Sequence, residues 1–557
     1  IHLHAFLASG GRMLFTRRGL LLWHTRRYAK RNKCKQLADF VREMWIAPAL
    51  AAAALAGLAL THPAELAVSG PVLFLWLVSP LVAWWISLPI VPAQPRLSNA
   101  QRAFLHGVSR QTWRWFNTFV NAEENWLPPD NVQEDPERLI ASRTSPTNIG
   151  MALLANLAAA DFGYLACGDL LERTEKTLET MDRLERYRGH FYNWYDTRTL
   201  EPLPPYYVST VDSGNLAGAL ATLRAGLLEL KSQPIVSPLV FAGLRDTADM
   251  LSTPASAPIR KKLADLADRE EGSGSHHPGP RENPLSAKLA LLRELGREID
   301  ALPVDGDAEQ QDWAHALLKQ CLAAGADGQR ILPDHQTFHC VPTLREVAAS
   351  TTGGEHAAER MRRIDGLARR CDELAAMDFA FLYDPARDLL AIGYNVSERR
   401  RDPAYYDLLA SEARLISFML IARDRLPPEH WFALGRRVTT HGGAMALLSW
   451  SGSMFEYLMP LLIMPTYEHT LLDQTCRSVV DRQIEYGRQR GVPWGISESC
   501  YNTTDADGAY QYGAFGVPGL GLKRGLADDL VVAPYASALA LMVRPREACR
   551  NLETLAE

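Results

Sequence analysis

Two long stretches without a charged residue stand near the start of the chain. Residues 44–64 contain no Asp, Glu, Lys or Arg, and residues 66–95 contain none either. Each stretch is long enough to cross a membrane as a helix, which takes about 20 apolar residues. Only a short turn around Glu65 separates them. The pattern predicts a transmembrane helical hairpin over residues 44–95, with a buried hairpin of a soluble protein as the alternative, because the first stretch is rich in alanine.

Charge and tryptophan content favour the membrane interpretation. Ten Lys and Arg lie within residues 12–42, against a single acid. Basic flanks stay in the cytoplasm, and Trp gathers at membrane interfaces, as Trp76, Trp84 and Trp85 would here. We therefore predict a basic cytoplasmic segment over residues 1–43. Because a hairpin returns the chain to its starting side, the remainder is expected to be cytoplasmic as well.

Beyond residue 96, apolar residues recur at helical spacing, and alternating strand-like runs are few. Loops rich in Trp, Tyr, Asp and Glu separate the helices. The pattern predicts an all-α fold, and a helical shell with such loops suggests an (α/α) barrel whose cleft suits sugars. We expect one domain over 96–557 with a helical insertion at about 250–345, which carries a flexible Gly- and Ser-rich connector. The predicted helices are 100–121, 148–167, 169–187, 213–231, 286–302, 308–324, 355–378, 405–424, 470–491 and 534–543.

Composition excludes several classes of partner. The net charge is −5, and the basic residues of the first 42 positions leave the remainder more acidic still, which argues against nucleic acid. The eight cysteines are scattered without a CxxC pair, so no zinc site or disulfide framework is indicated. We predict no metal and no cofactor.

The first loop with candidate chemistry covers residues 189–215. Six Trp, Tyr or Phe fall within 17 of its residues, and aromatic faces stack on sugar rings. Asp212 precedes a predicted helix, so it either caps that helix, binds sugar hydroxyls, or does both. The candidate substrate-binding residues of this loop are Tyr192, Trp194, Tyr206, Tyr207 and Asp212.

The second loop places an acid on an apolar helical stripe. Glu412 shares this stripe with Tyr405, Leu408 and Leu409 and is therefore predicted to point inward. An inward acid is costly unless it is paired or functional, so a structural ion pair with a distant Arg is the alternative. The further candidates for sugar contact here are Tyr394, Tyr405, Tyr406 and Asp407.

The third loop contains an isolated acid. Glu456 is the only charged residue within 444–467 and lies between Phe455 and Tyr457. Apolar surroundings raise the pKa of a carboxyl by desolvation, which is the property that a general acid needs at neutral pH. Trp450 is a candidate for stacking on a sugar.

The fourth loop carries Glu498 among aromatic and small residues. Trp494 and Tyr501 flank it as candidate substrate-binding residues, and Tyr512 follows. A glycine-rich stretch over 516–521 lacks the G-x-x-x-x-G-K-[ST] pattern of a phosphate cradle. It is expected to form a tight loop that shapes the cleft.

Four segments carry a resemblance to a known family. YYVSTVDSGNLAG, YYDLLASEARL, LLSWSGSMFEYLMP and WGISESCYN resemble the central region of bacterial cyclic β-1,2-glucan synthases. The resemblance implies an (α/α)6 barrel in a multidomain inner-membrane protein, with glycosyltransferase and phosphorylase-like regions flanking it in the same polypeptide. It also implies cyclization of β-1,2-glucan by intramolecular transglycosylation with retention. A more remote similarity is to β-1,2-glucanases.

Retention requires two carboxyl groups about 5 to 5.5 Å apart, one as nucleophile and one as acid/base. Glu412, Glu456 and Glu498 are three candidates for two roles. We assign Glu412 as nucleophile and Glu498 as acid/base, with Glu456 orienting sugars or tuning a neighbour's pKa. An exchange of roles between Glu456 and Glu498 stays open. So do hydrolysis of β-1,2-glucan and a non-catalytic role in holding it. The expected partners are the glucan chain, membrane lipid and the flanking regions.

Overall fold

The computed structural model describes residues 37–87, 97–135, 137–272, 284–303, 307–331, 340–350, 354–441, 444–504 and 510–557. The chain divides into two compact units, Ile1–Gln94 and Pro95–Glu557. Most of the predicted basic segment, the end of the predicted hairpin and the Gly- and Ser-rich connector lie outside the described residues.

The described part of the first unit is helical. Its elements are α1 Leu37–Met44, α2 Ile46–Thr61, a 3₁₀ turn at Pro63–Glu65, α3 Leu66–Leu77 and α4 Ser79–Ser87. Within residues 37–87 and the other described ranges, no single helix is both long and apolar enough to cross a membrane. The helical segment formed by the 3₁₀ turn and α3 is long and apolar enough for a membrane span only when α4 is added to it. The two parts meet at a bend of 49°.

The predicted second span is therefore not one straight helix. Pro80 lies in the first turn of α4 and has no N–H to donate to the carbonyl of Trp76, so the helix cannot run through this point. The hydroxyl of Ser79 donates to that carbonyl instead, at 2.8 Å. The uncharged run is broken at the 3₁₀ turn that begins at Pro63 and just before Pro80, whereas Pro71 lies inside α3.

The second unit is also mainly helical. It contains α5 Asn99–Phe119, α6 Pro146–Asp161, α7 Cys167–Arg183, α8 Thr210–Leu230, α9 Val240–Ala248, α10 Ala257–Gly272, α11 Pro284–Asp300, α12 Ala308–Ile331, α13 Leu344–Ala348, α14 Glu355–Leu374, α15 Arg414–Ala422, α16 Glu429–Ala433, α17 Met454–Leu458, α18 Leu471–Arg490, α19 Pro534–Ala540 and α20 Pro545–Ala556. Short 3₁₀ turns occur at Pro254–Ser256 and Met459–Leu462.

Short strands connect the helices. They are β1 Val132–Gln133, β2 Leu139–Ile140, β3 Arg143–Thr144, β4 Arg186–Tyr187, β5 His190–Phe191, β6 Tyr195–Asp196, β7 Tyr207–Ser209, β8 Tyr383–Asp384, β9 Leu389–Leu390, β10 Gly393–Asn395, β11 Arg400–Arg401, β12 Val438–His441, β13 Ala444–Leu447, β14 Ser499–Thr504 and β15 Tyr510–Gly513. All pairs are antiparallel, and β11-β10-β7 forms a three-stranded sheet. The β7–β10 pair joins the first aromatic loop to the second.

Helix α8 lies at the centre of the second unit. It packs against α6, α14 and α15. Glycines allow this close helix packing. A Cβ on Gly150 of α6 would lie 2.9 Å from the Cβ of Ala219 in α8, and a Cβ on Gly214 of α8 would lie 2.4 Å from the Cβ of Ile416 in α15. The close packing holds the first turns of α8 against the segment that precedes α15.

Two hydrophobic clusters supply most of the core. The first is built from α6 to α14, so the helices of the predicted insertion share a core with α6, α7 and α8. The second comprises residues from the C-terminal part, between 408 and 548. Glu412, Glu456 and Glu498 lie in this C-terminal part, whereas Asp212 lies on α8.

Candidate active site

Glu412 lies in a turn, and the prediction that it sits on a helical stripe is wrong. Helix α15 begins only at Arg414, because Tyr405 pairs as an isolated bridge with Ala391 and the chain then turns. Ser411 has a positive φ of 52°, which an uninterrupted helix does not allow. The inward direction of Glu412 was predicted correctly, since its side chain is 5% exposed.

Both carboxylate oxygens of Glu412 accept hydrogen bonds from neutral donors. Asn215 Nδ2 of α8 donates to Oε1 at 2.7 Å, and the hydroxyl of Ser411 donates to Oε2. Burial, and next the charge of Glu498, raise the pKa of Glu412 to about 7, against the lowering effect of the two donors. Among the described residues no Lys or Arg forms an ion pair with it, because Arg414 donates to the backbone carbonyls of Glu456 and Tyr457 instead.

Glu456 is buried among donors, and the prediction of apolar surroundings is wrong. Its side chain is 2% exposed. Its oxygens accept from the hydroxyls of Ser449 and Ser451, at 2.7 and 2.6 Å, and from the backbone N–H groups of Ser411, Ser451 and Gly452 at 3.0 to 3.2 Å. This is a nest of donors for a fixed anion.

Tight backbone contacts build this nest. Gly452 has φ of 73°, the left-handed region that glycine tolerates. A Cβ on Gly516 would lie 1.8 Å from the carbonyl oxygen of Ser451, and one on Gly521 would lie 2.5 Å from its carbonyl carbon. The predicted tight glycine loop therefore packs on the segment whose N–H groups donate to Glu456. A side chain at Gly516 or Gly521 would displace that segment.

Glu498 is the more accessible acid of the pair that it forms with Glu412. It precedes β14, and its Oε2 accepts from the hydroxyl of Tyr512 in β15, while Ser453 donates to Oε1 at 3.1 Å. Burial is the main cause that raises its pKa, followed by the charge of Glu456. Tyr535 fixes the backbone by donating to the carbonyl of Glu498 at 2.7 Å.

Two serines connect the three glutamates. Ser411 donates its hydroxyl to Glu412 and its N–H to Glu456, at 3.2 Å for the latter. Ser453 donates its hydroxyl to Glu498 and its N–H to Glu456, at 3.4 Å. Glu456 is therefore the anchor on which both other glutamate-bearing segments are positioned.

A second branch of the network reaches Asp212. Thr147 donates to Asp212 Oδ1 at 2.5 Å, and its own hydroxyl oxygen accepts from Asn215 at 3.1 Å. The side-chain amide of Asn193, oriented by its neighbours, donates to Oδ2 at 3.0 Å. Asp212 does not cap α8, because Ser209 is the capping residue and accepts from the Asp212 N–H.

Three predicted substrate-binding tyrosines lie beside the acids. Tyr512 bonds to Glu498 yet stays 61% exposed. The pKa of Tyr406 is raised well above its usual range by burial and then by the charge of Glu412. The pKa of Tyr207 is raised by burial and then by Asp402, to which its hydroxyl donates at 3.4 Å.

Other predicted residues have structural partners. Tyr405 donates to Asp384 at 2.6 Å, Tyr394 stacks on Tyr187 with centroids 5.6 Å apart, and Tyr501 packs edge-on against Phe515. Trp494 is 7% exposed and belongs to the second core cluster, so little of its side chain is open to a sugar. Asp407 is half-buried and accepts from the N–H of Leu409 at 3.3 Å.

The remaining predicted aromatics differ in exposure. Trp450 is 58% and Tyr206 is 41% exposed, so both can receive a ligand. Tyr192 is buried and its hydroxyl donates to Glu185 at 3.3 Å. Trp194 is half-buried, with the guanidinium of Arg143 5.1 Å from its ring centroid.

Sequence reasoning missed the neutral partners of the acids. Asn215, Ser411 and Ser453 each contact a candidate carboxylate, and all three lie inside the motifs that carry the family resemblance. Their position inside these motifs was the signal in the sequence that could have identified them. Among the described residues, no group of His, Cys, Asp and Glu is arranged to hold a metal ion.

An apolar cavity of about 610 Å³ is lined in part by Arg414, which donates to the backbone carbonyl of Glu456. Phe418, Trp431, Phe432 and Met464 are among its lining residues, and none of the three candidate glutamates is. Sugar chemistry needs polar groups that bind hydroxyls, so we place the active site at the acids and not in this cavity.

Comparisons with known proteins place these residues in context. Residues 404–557, which include Glu412, Glu456 and Glu498, match a family model described as Glycoamylase, putative glucoamylase. Two of the solved structures that are similar are a putative glucoamylase from Bacteroides fragilis NCTC 9343 (13% identity, 84% of this chain and 83% of that chain, TM-score 0.45) and an endo-beta-1,2-glucanase from Chitinophaga pinensis (12%, 82% and 82%, TM-score 0.44).

A curated relative aligns with nearly the whole chain. It is the cyclic beta-(1,2)-glucan synthase NdvB of Rhizobium meliloti (strain 1021), which is 40% identical over an alignment of 579 residues that covers 99% of this chain. The chain spans only 19% of the length of that protein. The resemblance indicated by the sequence motifs is thus confirmed: the chain is homologous to one segment of a cyclic β-1,2-glucan synthase.

Proposed function

We propose that this chain closes linear β-1,2-glucan into rings by intramolecular transglycosylation that retains the anomeric configuration, on an (α/α)6 barrel. The observation that carries the proposal is that one hydrogen-bonded network connects the buried Glu412 and the half-buried Glu498 through Glu456. The name of the homologous synthase supplies the substrate class. Retaining transfer needs two carboxyl groups, one as nucleophile and one as acid/base, and Glu412 and Glu498 are our candidates for these roles.

In the first step, a carboxylate oxygen of Glu412 attacks the anomeric carbon of an internal glucosyl unit. The carbon–oxygen bond to the next unit breaks, and Glu498 gives its proton to the departing oxygen. In the second step, Glu498 takes the proton of a hydroxyl at the non-reducing end of the same chain. That oxygen attacks the anomeric carbon and releases Glu412, so the proton balance closes. Binding of the chain end beside the intermediate favours this hydroxyl over water.

Contacts around each acid support these roles. Glu412 is fixed through both oxygens by Asn215 and Ser411, as suits a nucleophile. Glu498 borders the exposed Tyr512 and meets hydroxyl groups that accept as well as donate, as suits an acid/base. The pKa of Glu412, raised to about 7, favours the reverse assignment, with Glu412 as the acid. The charge of Glu498 contributes to the raised pKa of Glu412, so the titrations of the two acids are coupled.

Donors with activated leaving groups separate the two assignments. A good aryl leaving group needs no proton, so Glu498→Gln should still release aryl alcohol in a first burst, whereas Glu412→Gln should be inactive on every donor. The measurement is pre-steady-state aryl release by both variants beside the parent chain. A burst in Glu412→Gln with an inactive Glu498→Gln would reverse the roles, and two fully active variants would eliminate the mechanism.

Hydrolysis and non-catalytic glucan holding are the competing functions. The exposure of Tyr512 beside Glu498 favours hydrolysis as the second candidate, because water also reaches the acid/base. Glucan binding without turnover, unaffected by Glu→Gln changes at all three glutamates, would instead indicate a holding role.

We further propose that residues 46–87 attach the chain to the bacterial inner membrane, with the second unit in the cytoplasm and with glycosyltransferase and phosphorylase-like regions in the same polypeptide. Large apolar side chains of these helices are exposed, for example Leu60 at 86%, Val68 at 83% and Ile86 at 70%. Membrane lipid is their expected partner. Alkaline extraction of membranes should leave the chain in the pellet, and release into the supernatant would contradict the attachment.

A further inference from the structure

A polar cluster with a tryptophan lies next to the network of acids. Arg143 donates through Nε and Nη2 to Asp130 Oδ2, at 3.2 and 3.1 Å. Asn131 donates to the same oxygen at 3.1 Å, and Asn148 donates to Oδ1 at 3.3 Å. The Arg143 guanidinium lies over the ring of Trp194, 5.1 Å from its centroid. The cluster therefore combines a charged fork, a carboxylate and an aromatic face.

The cluster borders the acids on two sides. On one side, Asn131 Nδ2 lies 3.9 Å from the Sγ of Cys500, which pairs in β14–β15 with Tyr512, the hydrogen-bond donor to Glu498. On the other side, Trp194 Nε1 donates to the amide oxygen of Asn193, which in turn donates to Asp212. A sugar bound here would adjoin the unit that reacts.

The cluster also keeps free binding capacity. The side chain of Arg143 is 48% exposed, although it holds Asp130, which is 17% exposed. Its Nη1 has no hydrogen-bond partner among the residues that the structure describes. Trp194 is half-buried, so part of its surface is open. An exposed planar donor beside a carboxylate and an indole matches a pyranose, which presents hydroxyls at its edge and C–H groups on its face.

We propose that Asp130, Arg143 and Trp194 form a further glucosyl-binding subsite, which holds a unit of the glucan chain next to the reacting linkage. This inference rests on the proposed function for its substrate class. A single subsite contributes to binding of chains long enough to reach it and contributes nothing for shorter ones. The purely structural alternative is that the Asp130–Arg143 pair only braces the β1–β2 segment.

Calorimetry with linear β-1,2-glucans of increasing length tests the subsite. The full chain carries Glu412→Gln, so that binding is measured without turnover, with or without Arg143→Met. We expect Arg143→Met to weaken binding of long glucans about tenfold and to leave the shortest bound oligosaccharide unaffected. Arg114→Met is the matched control, because Arg114 lies 4.7 Å from the ring centroid of Trp313 and pairs with Glu309 at 2.8 Å.

Binding by Arg143→Met as tight as by the chain with Arg143 at every glucan length, or an equal loss in Arg114→Met, would overturn the subsite. If Arg143→Met does not fold, Arg143→Lys keeps the charge and loses the planar fork, and the same dependence on length is expected. Failure of the proposed function is distinguishable from failure of the subsite. In that case the parent chain turns over no glucan, while the loss of long-chain binding on Arg143→Met persists.

Discussion

The surroundings of Glu456 and of Glu412 show two uses of a buried carboxyl group in one network. Glu456 accepts from backbone N–H groups and two serine hydroxyls, which satisfy an anion. Glu412 has one amide and one hydroxyl, and its pKa is raised to about 7 by burial and by the charge of Glu498. Burial is nearly equal at the two positions, so the number and kind of hydrogen-bond donors distinguish the two carboxyl groups.

The largest expected effect is on turnover. Glu412→Gln should lower kcat on β-1,2-glucan by about 10⁴-fold or more, because no glycosyl-enzyme can form. Glu456→Gln should lower kcat less, since Glu456 acts through the positions of Glu412 and Glu498. Steady-state kinetics on both variants checks this order. A larger loss in Glu456→Gln, in a protein that remains folded, would make Glu456 the reactive acid.

The next effect is on stability. Glu456→Gln should lower the free energy of unfolding by about 3 kcal/mol, because the new amide N–H₂ would face the hydroxyl and N–H donors that now bind an anion. Chemical denaturation at neutral pH measures the change. An unchanged stability would show that the nest does not depend on the charge of Glu456.

At Glu412 the sign of the stability change should be opposite. The pKa of Glu412 is raised from 4.5 to about 7, so the folded state binds its proton more tightly than the unfolded state. Its contribution to stability is therefore lost as the pH rises from about 4.5 to about 7, to a total of about 3 kcal/mol. Glu412→Gln should remove this dependence and melt at a higher temperature than the parent at pH 8. If the melting temperatures of the parent and of Glu412→Gln changed with pH in parallel across this range, the raised pKa of Glu412 would be refuted.

The smallest effect concerns the pH profile. The hydroxyl of Tyr512 favours the ionised form of Glu498, so Tyr512→Phe should raise the pKa of Glu498 further. If Glu498 is the acid, the alkaline limb of the pH profile of kcat should move to higher pH in Tyr512→Phe, provided that the variant remains folded. Phe preserves the ring, so the comparison isolates one hydroxyl. A shift of the acidic limb to higher pH, with the alkaline limb unchanged, would show that Glu498 acts in its ionised form.

Much of the fold was predictable because helical periodicity is a local property. The helices at 148–167, 213–231, 355–378 and 470–491 correspond to α6, α8, α14 and α18, with ends that differ by a few residues. The 405–424 helix was predicted too long. Pairing of Tyr405 with Ala391 and the positive φ of Ser411 depend on tertiary contacts that periodicity does not report.

The candidate site was predictable in its acids and less so in their environments. Isolation of Glu456 among apolar residues in the sequence suggested desolvation, yet its oxygens accept from two serine hydroxyls and from backbone N–H groups, and the latter are not visible in residue types. Trp494 stands beside Glu498 in the sequence but its side chain enters the core. A sequence gives the proximity of residues along the chain and leaves the direction of each side chain to packing.

The central claim is tested most directly by the products of the full chain incubated with linear β-1,2-glucan. Mass spectrometry together with a reducing-end assay distinguishes the outcomes. The account predicts products lighter by one water molecule than linear chains with the same number of glucosyl units, without a reducing end, and absent when Glu412→Gln is used. Only shorter linear chains, each with a new reducing end, would contradict cyclization and identify the chain as a β-1,2-glucanase.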